Sequence, residues 1–242
     1  MTVPPAIRAG AGQRSQKSDA RSSRARGGDA TRVGHNVRMA DHGIPLREAD
    51  VLAQPADQFA AWFADAAGAG VREPEAMALA TASAGGAPSL RMVLCKSFDE
   101  QGFVFFTNYD SRKGAELAEN PRAALLFHWD PLGRQVRIEG PVARVAREES
   151  AAYARSRARG SQLSALASPQ SRPVRDRAEL ERSVAELERR YPAGELPVPE
   201  NWGGFRLTPE TFEFWQQRRD RLHDRLLYRR GAGGWLIERL AP

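Results

Sequence analysis

The chain has 242 residues, and its 36 Lys and Arg against 30 Asp and Glu give a net charge of +6 and an isoelectric point near 10.1, which invites a polyanionic partner. Residues 1–38 hold eight basic and only two acidic residues, so they carry the entire surplus and leave the remainder neutral, which removes the ground for a nucleic-acid-binding domain. A lone Cys95 excludes an intramolecular disulfide or a cysteine metal cluster, and the scattered His35, His42, His128 and His223 give no metal-ligand spacing.

The first 38 residues, rich in Ala, Gly, Ser and Arg, lack apolar periodicity and read as a disordered basic tail preceding one domain over 39–242. Their composition overlaps that of transit peptides but has no secretory core, and the favoured reading is a dispensable extension. No run approaches the roughly 20 apolar residues of a membrane span, so a reducing, cytoplasmic setting without membrane or nucleic-acid partners is expected.

Gln58–Ala67 has helical apolar spacing and a glycine stop at Gly68 and Gly70. Strand patterns follow at Ala76–Ser83, Ser89–Ser97, Gly102–Asn108 and Arg122–Trp129, with a short helix over Ser111–Asn120 and a longer strand over Arg134–Val145. Glu148–Arg157, Ser161–Ala167 and Asp176–Arg190 read as helices, and Gly203–Leu207, Thr211–Gln217, Leu222–Tyr228 and Trp235–Arg239 as closing strands. This order predicts an α+β domain, mainly β, on a barrel-like sheet.

Neither a dinucleotide glycine fingerprint nor a Gly-x-Ser-x-Gly elbow is present. The chemistry therefore rests on cations set in apolar segments. Arg91 and Lys96 bracket a strand core; alternation turns them to opposite faces unless a bulge intervenes, and they can equally be solvated strand ends. Arg112 and Lys113 occupy a helical first turn capped by Asp110 or Ser111, where cations oppose the dipole; a bound anion resolves that conflict better than an exposed pair does. Tyr153 and Arg157 share a helix face near Ser161, a possible cap of the next helix, and could meet one phosphate, or could simply complement a helix C-terminus. An extended Arg221-Leu222-His223-Asp224-Arg225 would align Arg221, His223 and Arg225 on one face, as a ligand site or as a solvated charge run.

Several motifs agree in order: Arg91-x-Val93-Leu94-x-Lys96, Phe106-Thr107-Asn108, Ser111-Arg112-Lys113, Arg134-Gln135-Val136, Ser168-Pro169-Gln170-Ser171, Trp202-Gly203-Gly204-Phe205, Glu213-Phe214-Trp215-Gln216, Arg221-Leu222-His223-Asp224-Arg225 and Arg239-Leu240-Ala241-Pro242. From about Arg38 onward the chain resembles the FMN-dependent pyridoxine (pyridoxamine) 5′-phosphate oxidase family. The resemblance implies an FMN-binding split β-barrel with peripheral helices, a homodimer with FMN at its interface, and oxidation of pyridoxine 5′-phosphate or pyridoxamine 5′-phosphate to pyridoxal 5′-phosphate with O2 reduced to hydrogen peroxide. It assigns FMN to Arg91, Met92, Val93, Leu94, Lys96, Phe106, Thr107, Arg112, Lys113, Gln135, Gln170, Ser171, Trp215 and Arg225. The substrate phosphate falls to Lys96, Tyr153, Arg157 and Ser161, the ring to the catalytic pair Arg221 and His223, and a lid to Arg38. The chain departs from the family pattern at Arg38-Met39-Ala40-Asp41, which lacks the lid tyrosine, and at Phe106, Leu166 and Gln217-Arg218. A related split-barrel flavin oxidoreductase acting on another heterocycle is the alternative.

Overall fold

The computed structural model describes residues 45–242. The expectations for the basic tail and for Arg38 to Asp41 lie outside the described residues. Helix α1 (Pro55–Gly68) starts on a proline, whose missing N–H costs nothing in a first turn, and buries Phe59, Trp62 and Ala66 along one stripe. The Phe59 ring meets Phe98, Phe103 and Phe127 edge-on at 4.9, 4.8 and 4.8 Å, and so pins the helix on the core.

Strands β1 (Ala76–Ala82) and β2 (Pro88–Leu94) form one hairpin, and β3 (Ser97–Asp99) and β4 (Gly102–Asn108) a second. Gly102 has φ +135°, and a Cβ there would lie 1.9 Å from the Leu207 carbonyl oxygen, so only glycine fits the turn. Helix α2 (Arg112–Glu119) leads to β5 (Arg122–Trp129) and the long β6 (Arg134–Arg144). Three helices follow, α3 (Arg147–Ser156), α4 (Arg159–Ala167) and α5 (Arg177–Arg190), before β7 (Trp202–Leu207), β8 (Thr211–Gln216), β9 (Asp224–Gly231) and β10 (Gly234–Arg239).

All pairings are antiparallel, in the order β10-β9-β8-β6-β5-β1-β2 with a branch through β7, β4 and β3. Strand β6 belongs to both branches, pairing with β5 and β8 over most of its length and with β7 at Val142–Arg144. The other junction is local: Cys95 N–H bonds the Glu75 carbonyl, whereas Lys96 N–H bonds that of Val104 on β4. The sheet thereby curls into a half-barrel around a phenylalanine-rich core, in agreement with the split-barrel expectation.

Three sequence expectations change. The run Ser89–Ser97 is two strands, because the backbone changes hydrogen-bonding partner between Cys95 and Lys96. Residues 221–225 are not one extended segment: Arg219–Arg221 form a 3-10 turn with Asp220 and Arg221 at φ +56° and +61°, and the strand starts at Asp224. Alternation therefore does not set the direction of Arg221. Ser161 is not a cap either; α4 starts two residues earlier, with Ala158 at the N-cap, where Arg159 is anchored on the carbonyls of Tyr191 and Gly194.

Candidate functional site

The predicted residues form two groups. The first surrounds a cavity of about 260 Å³ lined by Met92, Val93 and Leu94 of β2 and Lys96 just beyond it, by Phe106 and Thr107 of β4, and by Lys113, Tyr153, Arg157, Gln170 and Trp202. Met92, Val93 and Leu94 border this cavity from the end of β2, and Lys96 reaches it from the other sheet branch because the chain changes partner strand between Cys95 and Lys96.

Lys113 lies in the first turn of α2, behind the N-cap Ser111, whose Oγ accepts the Gly114 N–H at 3.4 Å. Its ammonium is buried and donates to Thr107 Oγ1 at 3.1 Å, Gln170 Oε1 at 3.1 Å and Ser111 Oγ at 3.5 Å. These acceptors are neutral. Burial, reinforced by Arg91, pulls the Lys113 pKa below its ordinary value, and an anion at this point would favour the charged form. A helix N-terminus that presents a buried cation and hydroxyls is a donor set that fits a phosphate.

Arg91 and Arg112 flank this point but turn to Glu116, with N···O distances of 3.3 and 2.9 Å. Arg91 also bonds Thr81 and Ser89. Burial pushes the Glu116 carboxyl up, but hydrogen bonds from Ser89, Thr81 and Arg112 outweigh it and hold the pKa at about 2. Sequence reasoning missed Glu116, although its place four residues after Arg112 in a helix was an available signal.

Toward the other side of the cavity, the rings of Phe106 and Tyr153 stack at 4.0 Å, and Phe106 and Trp202 at 5.5 Å. The Arg157 guanidinium carbon lies 4.9 Å from the Trp202 ring centre. Burial lowers the Arg157 pKa and raises that of Tyr153. Ser161 is exposed and does not line the cavity; Ser171 is exposed beside Gln170 in a left-handed conformation, φ +71°.

The second group lies across adjacent strands, where Gln135 pairs with Trp215 and Trp215 with Arg225. His223 packs on Trp215 at 4.6 Å, with the exposed Arg221 two residues before it. Arg225 is held by Glu213 at 2.7 Å and by the Ala241 carbonyl at 2.8 Å. None of these residues lines the first cavity. Among the described residues, Ser171, Asp220 and Arg221 are the non-glycine positions with positive φ; two of them carry site assignments, and such strain concentrates at functional sites.

Residues 63–191 match the family model described as pyridoxamine 5′-phosphate oxidase, and residues 202–242 match the pyridoxine 5′-phosphate oxidase C-terminal dimerisation region. The chain belongs to the pyridoxamine 5′-phosphate oxidase family. It is 57% identical over 188 residues to the pyridoxine/pyridoxamine 5′-phosphate oxidase of Rubrobacter xylanophilus, covering 78% of this chain and 87% of the relative. Against that of Bordetella petrii it is 57% identical over 209 residues, covering 86% and 98%. The crystal structure of PhzG from Burkholderia lata 383 in complex with tetrahydrophenazine-1-carboxylic acid superposes with a TM-score of 0.76 at 36% identity, covering 80% of this chain and 95% of that one. The second group of this family member falls mostly within the matched dimerisation region, whereas the cavity is built largely from the part before it. No helix among the described residues is long and apolar enough to cross a membrane.

Proposed function

We propose that the protein is an FMN-dependent oxidase that converts pyridoxine 5′-phosphate and pyridoxamine 5′-phosphate to pyridoxal 5′-phosphate, with O2 reduced to hydrogen peroxide. The observation that carries this reading is the cavity itself: of its lining residues, all but Trp202 are positions that the family motifs assign to FMN or to the substrate phosphate. FMN, when bound, supplies the hydride acceptor for the substrate C4′ carbon and passes the electrons to O2.

Lys113 with Thr107 and Gln170 holds the cofactor phosphate, and Arg91 and Arg112 bring further positive charge to it. Met92, Val93 and Leu94, which line the same cavity, would contact the bound flavin. Lys96, Tyr153 and Arg157 hold the substrate phosphate. The second group of one protomer completes the cavity of its partner in a homodimer. The matched dimerisation region supports this arrangement, as do exposed apolar side chains beside each group, Met92 at 64% and Leu222 at 71% exposure. Arg221 then positions the pyridine ring and stabilises charge developing on it, while His223 supplies a neighbouring contact.

The test is an oxygen-electrode assay on purified, FMN-loaded protein with each B6 phosphate, expecting one hydrogen peroxide per aldehyde formed. Turnover of a reduced heterocyclic carboxylate and of neither B6 phosphate would replace this reading with the other-heterocycle alternative, to which the PhzG likeness points.

A further inference from the structure

Three arginines follow Tyr153 at alternate positions, and their surroundings separate them. Arg155 reaches Glu195 at 3.8 Å, and Arg159 donates to the carbonyls of Tyr191 and Gly194. Arg157 is the C-cap of α3; its carbonyl accepts from the Gln162 side chain, its amide donates to the Ala154 carbonyl, and its guanidinium lies over the Trp202 ring. Its half-buried guanidinium is thus steered by an aromatic face and not by an acceptor, which leaves its N–H groups for a ligand.

Trp202 is itself fixed. It is buried at the start of β7, opposite Asn108, and Arg147 donates to its carbonyl at 2.9 Å. Its ring lies within 11° of parallel to both Phe106 and Tyr153. Gly204 makes the packing possible, since a Cβ there would stand 2.8 Å from the Phe106 ring.

We infer that Trp202 is a positioning residue for substrate recognition: its indole face orders the Arg157 guanidinium, and its stack with Phe106 and Tyr153 ties the phenol and the guanidinium into one preformed receptor for a phosphate monoester. Two flexible side chains are ordered before the ligand arrives, so the ordering cost is not charged to binding. This inference rests on the proposed reading of Tyr153 and Arg157 as the substrate-phosphate contacts.

The experiment is a double-mutant cycle on the full-length, FMN-loaded protein with Trp202→Leu and Arg157→Ala, reading KM for pyridoxine 5′-phosphate and equilibrium binding of pyridoxal 5′-phosphate against unphosphorylated pyridoxal. Trp202→Leu raises KM and weakens pyridoxal 5′-phosphate roughly tenfold, the scale of one desolvated cation–π contact, while binding of pyridoxal is unchanged. In the Arg157→Ala background the same substitution has a clearly smaller effect, because of the two residues through which it acts only Tyr153 is left. Trp202→Phe, which keeps an aromatic face, recovers most of the affinity and covers the case in which the leucine variant does not fold. Equal effects of Trp202→Leu with and without Arg157, or equal losses for pyridoxal and its phosphate, overturn the inference. If Arg157→Ala alone leaves phosphate recognition intact, the underlying assignment of the phosphate site is what fails.

Discussion

The imidazole Nδ1 of His223 accepts the backbone N–H of Arg218 at 3.1 Å. A backbone amide can only donate, so Nδ1 is unprotonated and the neutral ring carries its proton on Nε2, where it serves as a donor. Burial, aided by the Arg221 charge, holds the His223 pKa below the ordinary 6.5. The sign follows: the folded state takes up this proton at lower pH than the unfolded chain does, so the associated stability is complete above 6.5 and is lost as pH falls toward the folded value. NMR titration of the imidazole nitrogens should give a pKa below 6.5 in the wild type and an upward shift in Arg221→Ala, which also lowers turnover by about 100-fold or more with FMN retained. A kinetically silent Arg221→Ala refutes the role assigned to that residue.

Lys113 gives a second prediction. Its ammonium meets only neutral oxygens at 3.1–3.5 Å, so replacing it by methionine removes a phosphate donor without stranding a buried carboxylate. Lys113→Met should fold with near-normal stability and bind FMN about 10- to 100-fold more weakly, the scale of one charge-assisted hydrogen bond. Flavin titration followed by fluorescence measures this. Full flavin content at sub-micromolar FMN would remove Lys113 from the cofactor site.

The periodicity of Gln58–Ala67, the long run Arg134–Val145 and the spacing of Ser111 to Lys113 were enough to place α1, β6 and the capped start of α2. Non-local geometry lay beyond reach. Alternation separates Arg91 from Lys96 but cannot reveal that the backbone changes partner strand between Cys95 and Lys96, which brings Lys96 to the cavity that the end of β2 also lines. Likewise the left-handed Asp220 and Arg221 break an apparently extended run, because the turn is closed by a His223 side-chain contact that no pattern encodes. Motif resemblance gathered the site residues into one set, whereas the fold divides them between a cavity and a separate strand cluster.

Gly204 tests the packing beneath the aromatic stack. A methyl group there would stand 2.7 Å from Val145 Cγ2 and 2.8 Å from Phe106 Cε1, both side-chain atoms that have to move. Gly204→Ala should therefore cost about 1–3 kcal/mol, read from the denaturant midpoint. It should also weaken pyridoxal 5′-phosphate binding by displacing Phe106 from Tyr153. Combining it with Phe106→Leu relieves the part of the clash that Phe106 makes and leaves the contact with Val145, so the two stability losses should be less than additive.

Glu116 carries the sharpest pH prediction. Its buried carboxylate accepts from Thr81, Ser89, Arg91 and Arg112 and is held at about 2 instead of the ordinary 4.5. A folded-state pKa below the unfolded one adds stability that is complete above 4.5 and disappears as pH falls through 4.5 toward 2. Glu116→Gln keeps the shape and the hydroxyl contacts but removes the charge that Arg91 and Arg112 share, at a cost of about 1–3 kcal/mol near pH 7. Urea melts of the two proteins at pH 7, 5 and 3.5 should show that gap unchanged between the first two and narrowed at the third. A gap independent of pH would mean that the hydroxyl hydrogen bonds, and not the paired charge, account for what Glu116 contributes.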